Sequence, residues 1–345
     1  MIDLLIVGAG PAGLATALYG ARAGLEVVVA ERRSGVLDKA CGEGMMPHTV
    51  AHLERLGVDP NGRPLRGIRY LDGVRHVDAT FRAGKGRGVR RTVLSAAMRD
   101  AADEVGVRLV RDDIRNISQD EDSVRAGPFR ARYLAAADGL HSPIRRDLGL
   151  ARPDRGPRRW GIRRHIHVPP WTDCVEVHWS SGGEAYVTPV DDDCVGIAIL
   201  SSKRGGFDAH FHEFPALRER VLGCQRGADR AAGPLRQRVA SRAAGRVLLV
   251  GDAAGYTDAL TGEGLGLAFG AAELLVQCVV ADRPGDYDHQ WRRVTRRYRA
   301  LTAALLRAGA CPPLRAGIIP AAHAWPNLFA ASSTCSLNEI RQSTL

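Results

Sequence analysis

Apolar positions follow two rhythms along this chain. Over residues 3–31 an unbroken apolar run, Leu4-Leu5-Ile6-Val7, gives way to apolar residues at helical spacing, Leu14, Ala17, Leu18 and Ala21. Gly24 stops that pattern, and Val27-Val28-Val29 begins a second continuous run that ends at Glu31. Short continuous runs bounded by turn residues mark strands buried on both faces, and the helical recurrence between them marks a helix packed on the sheet. The same grammar returns later. An apolar strand ends at Ala135-Ala136-Ala137 before Asp138-Gly139, and Val247-Leu248-Leu249-Val250 ends before Gly251-Asp252. The long apolar stretch 264–281 contains Glu273 and Gln277, which predicts a buried helix rather than a membrane span.

The second rhythm is strand-like alternation. Residues 68–71 and 75–81 predict a hairpin around Asp72-Gly73, and residues 161–168, 174–179, 185–189 and 194–200 predict an antiparallel sheet, with a helix over 211–223 covering it. The chain therefore divides into a nucleotide-type domain, made of 1–62, 88–157 and 240–330, and an inserted sheet domain, made of 63–87 and 158–239. A polar tail, 331–345, follows. No internal repeat and no second dinucleotide-type unit is visible.

Composition narrows the class. The 345 residues are 45% hydrophobic and 25% charged, which fits a globular protein with a substantial core. The seven cysteines are scattered, without a CxxC pair, which argues against a disulfide framework or a structural zinc site and for a reducing cytoplasm. No basic leader precedes the first strand, so no secretory segment is expected. The formal net charge is +10, with clusters at Arg145-Arg146, Arg152, Arg155 and Arg158-Arg159, and at Arg292-Arg293 and Arg296-Arg297. A solvated Arg-rich surface explains these best; a docking face for an acidic partner, such as a carrier protein, is the sharper alternative. No aromatic–basic interleaving points to nucleic acid.

The first strand, turn and helix carry chemistry. Gly8-Ala9-Gly10-Pro11-Ala12-Gly13 is a GxGxxG turn between strand and helix, with Glu31 closing the next strand. Gly8 permits the turn, Gly10 lets the backbone approach a pyrophosphate, and Gly13 lets the helix pack on the sheet. The helix N-terminus that Pro11 and Ala12 open offers free N–H groups, from Ala12 onward, to phosphate. Glu31, with Arg32 beside it, would accept hydrogen bonds from ribose hydroxyls and repel a 2′-phosphate, so the site favours FAD or NAD over NADP.

Three ordered motifs then define a resemblance: GxGxxG at Gly8–Gly13, Asp138-Gly139, and Gly251-Asp252 followed by Thr261-Gly262-Glu263-Gly264. Together they resemble the flavoprotein monooxygenase and geranylgeranyl reductase superfamily, built on the fold of para-hydroxybenzoate hydroxylase. The resemblance covers nearly the whole chain. It implies an α/β fold, a Rossmann-like FAD-binding domain with an inserted antiparallel-sheet substrate domain. It implies that Asp252 bonds a ribityl hydroxyl, and that Gly262, Gly264 and Leu265 open a helix facing the flavin N1–C2=O edge. Arg91 (or Arg90, one position earlier) would lie beside FAD, Ile114 would offer a backbone contact to adenine, and Asp138 would belong to the cofactor site.

The stretch Ala40-Cys41-Gly42-Glu43-Gly44-Met45-Met46-Pro47 resembles the Cys-Gly loop of geranylgeranyl reductases. Cys41 either acts near the reacting bond or packs as a small hydrophobe, and Gly42 permits a tight loop against the flavin. The aromatic-x-Trp-x-Phe-Pro pattern of those reductases is broken here, as Tyr186-Val187-Thr188-Pro189. Tyr186 is a candidate pocket residue, alongside His165 and His178. The halogenase Trp-x-Trp-x-Ile-Pro signature is missing. The pairs His165/His167, His210/His212 and His48/His52 lack further ligands at metal spacing, so no metal is expected.

The expected activity is that of an FAD-dependent oxidoreductase. The first expectation is a monooxygenase acting through a flavin C4a-hydroperoxide on an aromatic, polyketide-like or isoprenoid small molecule, free or carrier-bound, of the kind met in secondary metabolism. The alternative is a geranylgeranyl reductase-like reductase of C=C bonds, and a second alternative keeps FAD as a non-redox scaffold for a cyclisation. NAD(P)H or a separate reductase would supply electrons.

Overall fold

The computed structural model describes residues 1–310 other than 73, 74 and 155. The continuous apolar runs form the centre of an eight-stranded sheet. Ile2–Val7 pairs in parallel with Val27–Glu31 on one side and Phe129–Ala136 on the other. Arg108–Arg111 extends the sheet beyond the first of these and Val247–Leu249 beyond the second, both also parallel. Leu4, Leu5 and Ile6 are wholly buried, as a strand covered on both faces must be. The helix Pro11–Arg22 starts with proline in its first turn, where the missing N–H costs nothing, and packs on this sheet beside the helix Gly264–Val280.

The alternating segments form a second eight-stranded sheet. Along it run Trp160–His167, Cys194–Ser201, Gly183–Asp191, Cys174–Trp179, Gly67–Asp72 and Arg75–Thr80, in that spatial order. Most pairs are antiparallel. The four segments expected to form an antiparallel sheet do so, and the expected hairpin joins their edge in parallel: Cys174–Trp179 pairs in parallel with Gly67–Asp72. The hairpin Gly67–Asp72/Arg75–Thr80 is a distant piece of chain docked onto the sheet edge, so hairpin geometry does not dictate its direction there. The expected turn at Asp72-Gly73 lies partly outside the described residues.

The helix expected over 211–223 is instead two short helices, Phe207–Phe211 and Pro215–Arg220. Pro215 explains the break, because it forces Phe214 out of the helical region, to φ −123° and ψ 68°. Phe207, Phe211, Leu217 and Val221 from this pair cover Ile162, Ile166 and Ile197 of the sheet. His210 is therefore helical and not extended. A further helix, Asp286–Ala310, was not singled out by the sequence pattern. The tail 331–345, the end of the 240–330 block, Cys311 and Cys335 lie outside the described residues. Among the described residues, no helix is long and apolar enough to cross a membrane.

Candidate active site

A cavity of about 1000 Å3 is walled by residues from both sheets. One end is built by the first strand–helix turn, where Gly8, Gly10, Pro11 and Ala12 line the wall. Gly8 sits at φ +108°, and a Cβ there would press on the carbonyl of Ala137. Gly13 is off the wall, and a Cβ on it would run into the carbonyl of Gly8, so its role is close helix–strand packing. Gly10 has open space where its Cβ would stand, leaving backbone accessible to a ligand. The first turn of this helix has no acidic residue and no side-chain cap, so its N–H groups remain available to an anion.

Glu31 is 7% exposed and lies on the same wall. It accepts hydrogen bonds from Ala9 N at 2.9 Å and from Arg33 N and Nε at 3.1 Å. Burial works to raise its pKa, but these bonds prevail and hold the carboxyl below the usual range. Arg32, Arg91, Ile114 and Asp138 also line the cavity, whereas Arg90 is the N-cap of the helix Arg91–Glu104 and is off the wall.

Several polar atoms here await a partner. Asp138 Oδ1 and Arg91 Nε are buried without one, and the Asp252 carboxylate lies on the same wall. Burial raises the pKa of Asp138. Buried orphan atoms clustered on one wall are the mark of a polar ligand site. Acceptors at Glu31, Asp138 and Asp252, a bare helix N-terminus and a nearby guanidinium match the hydroxyls and pyrophosphate of FAD.

Residues the sequence reading missed complete this end. Lys39 lines the wall near Asp252, Arg91 and Arg33; burial lowers its pKa, Asp252 opposes that, and the two arginines add to it. A lone lysine in a loop gives no sequence signal. Arg145, assigned from sequence to a solvated cluster, is 2% exposed. Its guanidinium donates to the carbonyls of Asp252 at 3.2 Å, Ala253 at 3.0 Å and Leu140 at 2.8 Å, and so ties the Asp-Gly turn to the Gly-Asp turn. Arg159, from the same cluster, is partly buried and pairs with Glu184 and Asp258.

The other end of the cavity is largely apolar. Met46, Ile68, Val175, Val177 and Trp179 line it from the second sheet and its neighbourhood, with Leu301 and Leu305 from the helix Asp286–Ala310. Cys41 and Gly42 lie on the wall, as do Gly262, Gly264 and Leu265. Tyr186 is on the wall too, but its hydroxyl donates to the carbonyl of Leu260 at 3.0 Å and is already engaged. His165 and His178 are off the wall: each faces a carboxylate, Glu43 at 2.7 Å and Glu176 at 3.1 Å. His52 meets the hydroxyl of Tyr19 at 3.0 Å. No metal-holding cluster occurs among the described residues.

Two glutamates, each set between glycines in the sequence, line this site. Glu263 lies on the wall and is 8% exposed; burial pushes its pKa up to about 7. Glu43, on the Cys41–Gly44 loop, is 2% exposed and bonded.

The comparisons with known proteins agree with this geometry. The family described as FAD binding domain matches residues 1–185, more than half of the chain, and the chain belongs to that FAD-binding family. It is similar to the menaquinone reductase of Mycobacterium tuberculosis, at 29% identity over 322 residues, 79% of this chain and 76% of that protein. It is equally similar, at 29% over 336 residues, to digeranylgeranylglycerophospholipid reductase 1 of Methanothermobacter thermautotrophicus, covering 84% of this chain and 82% of that one. Among solved structures, the halogenase PltM in complex with phloroglucinol and FAD shares the fold, with a TM-score of 0.79 at 16% identity over 99% of this chain and 84% of that chain. These likenesses place the chain in the flavoprotein superfamily its motifs resemble, with a Rossmann-like FAD domain.

Proposed function

We propose that this FAD-dependent oxidoreductase is a reductase of C=C bonds in a polyprenyl chain. The observation that carries the reading is the division of the cavity: charged groups at the glycine-rich end, with Asp138 Oδ1 and Arg91 Nε left without partners, and at the other end a mainly apolar lining of Met46, Ile68, Val175, Val177, Leu301 and Leu305, where Trp179 Nε1 is a buried polar atom without a partner. An apolar chain fits such a lining, because each buried CH2 is worth about 0.8 kcal/mol and requires no polar partner. The names of both reductase relatives denote substrates that carry polyprenyl chains, which supports the same reading. It replaces the monooxygenase as the first choice.

In this reading Gly8, Gly10 and Pro11 take the pyrophosphate, with Lys39 and Arg91 as cations. Glu31 and Asp252 accept from ribose and ribityl hydroxyls. Bound FAD supplies the electron pair. The apolar wall excludes water and orients the chain, and Cys41 shapes the wall beside the reacting bond. Glu263 holds a proton up to about pH 7 at the carboxyl oxygen facing the cavity, where a substrate carbon could take it.

The monooxygenase remains the second reading, because a dry apolar pocket is also what oxygen transfer needs. One experiment separates them. FAD-loaded protein, reduced with dithionite without oxygen, is mixed with a geranylgeranyl compound and the product is weighed by mass spectrometry. Gain of two hydrogen atoms is the expected outcome. An unchanged substrate without oxygen, together with gain of one oxygen atom in air, would move the assignment to the monooxygenase.

A further inference from the structure

The Cys41–Gly44 loop is held by a carboxylate that neither reading uses. Glu43 adopts φ +61°, a left-handed conformation uncommon for a residue with a side chain. Its carboxylate is fully enclosed and bonds in two directions. One oxygen accepts from the backbone N–H of Arg91 at 2.8 Å; the other meets Nε2 of His165 at 2.7 Å. Behind them stands Arg163, 2% exposed, whose guanidinium lies 3.7 Å from Glu43, 3.0 Å from His165 Nδ1 and 2.5 Å from Asp38.

Two further features serve the same loop. The N–H of Glu43 points at Cys41 Sγ at 3.4 Å. Gly196, on the strand paired with His165, leaves the space the carboxylate fills: a Cβ there would stand 2.7 Å from Glu43 Oε2. A buried ion network of this kind gives little net stability over an apolar filling, because desolvation offsets the Coulomb gain. Strained backbone and buried charge together at a cavity wall point to a task other than stability.

We propose that Glu43 is a positioning residue: through Oε2 on His165 it anchors the Cys41-Gly42 segment to the second sheet, while Oε1, with Arg163 3.7 Å away, holds the start of the Arg91–Glu104 helix. The flavin-side wall and the substrate-side sheet are thereby fixed in one register, and Cys41 is held at a set place on the cavity. This inference goes beyond the reductase reading and holds equally for oxygen transfer.

The test needs no turnover. FAD-loaded Glu43→Gln is treated with iodoacetamide, and alkylation of Cys41 and of the half-buried Cys224 is followed by peptide mass mapping. The amide keeps an acceptor for Arg91 N but loses the charge facing His165 and Arg163. The expected result is a rise of about tenfold in the Cys41 rate, with Cys224 unchanged and the visible flavin band shifted. Gly196→Ala, which leaves Glu43 intact but intrudes on its carboxylate, should raise the same rate, and it keeps the test open should Glu43→Gln fail to fold. An unchanged Cys41 rate in the folded variants overturns the proposal, as does a rise shared in proportion by Cys224.

Discussion

Two loops of the same make-up, Cys41-Gly42-Glu43-Gly44 and Thr261-Gly262-Glu263-Gly264, reach the same cavity and treat their carboxyls in opposite ways. Glu43 has a backbone N–H, an imidazole and a guanidinium around it. At the Glu263 carboxyl burial alone shifts the pKa, to about 7. Its charge acts on Tyr298, which is itself pushed up to about 12, first by burial. Sitting at the N-cap of the Gly264–Val280 helix does not rescue the ionised form of Glu263. A Gly-Glu-Gly turn thus specifies only that a carboxyl enters the wall. What the carboxyl then does is decided by elements far away in sequence.

The comparison breaks most sharply at Arg163. Arg163→Met removes the cation between Glu43 and Asp38 and leaves the buried Glu43 carboxylate with the Arg91 N–H and His165 alone, while Asp38 keeps its pair with Arg230 at 2.9 Å. The expected loss is roughly 3–5 kcal/mol of unfolding free energy in urea, with over half recovered in the Arg163→Met/Glu43→Gln double variant. A single variant that loses less than about 1 kcal/mol would mean that the network is solvated in practice.

Glu263 should show the reverse behaviour. Its folded-state pKa lies above the unfolded value of 4.5, so the unfolded chain ionises first. Stability from this group is whole below about pH 4.5 and is lost as pH rises to about 7, where the folded protein ionises too. Glu263→Gln removes that penalty. Protein without FAD should gain about 2–3 kcal/mol at pH 8 relative to the parent, and nothing near pH 4, when urea unfolding is compared at the two pH values. A gain equal at both pH values would assign the effect to packing and not to titration.

How far the sequence revealed this follows from where each partner lies. The nucleotide end was readable because Gly8, Gly10, Gly13 and Glu31 act through one local strand–helix–strand unit, and each has a steric or hydrogen-bonding reason visible within it. Asp252, which lines the cavity, was marked by a resemblance and not by periodicity. Glu43 and Glu263 could not be told apart, since His165 lies 122 residues from Glu43. Lys39 and Arg145 gave no signal, one being a single cation in a loop and the other hidden within an Arg-rich run. The parallel pairing of Cys174–Trp179 with Gly67–Asp72 depends on the route of the chain, which alternation does not encode.

The smallest expected effect sharpens the same comparison. Thr188 occupies a position where the sequence departs from the reductase pattern, and its hydroxyl donates to the carbonyl of Gly42 at 2.7 Å. The Cys41 loop is therefore held to the second sheet at two points, one neutral and one charged. Thr188→Val keeps the shape and removes only the hydroxyl, which should cost about 0.5–1.5 kcal/mol of stability. Alkylation of Cys41 in the FAD-loaded variant should rise by no more than about threefold, because a neutral hydrogen bond is weaker than the charge-assisted contacts of Glu43. If Thr188→Val instead frees Cys41 more than Glu43→Gln does, the hydroxyl is the main anchor. Glu43 would then be a buried helix-start acceptor, and the contrast between the two glutamates would reduce to which of them happens to find a partner.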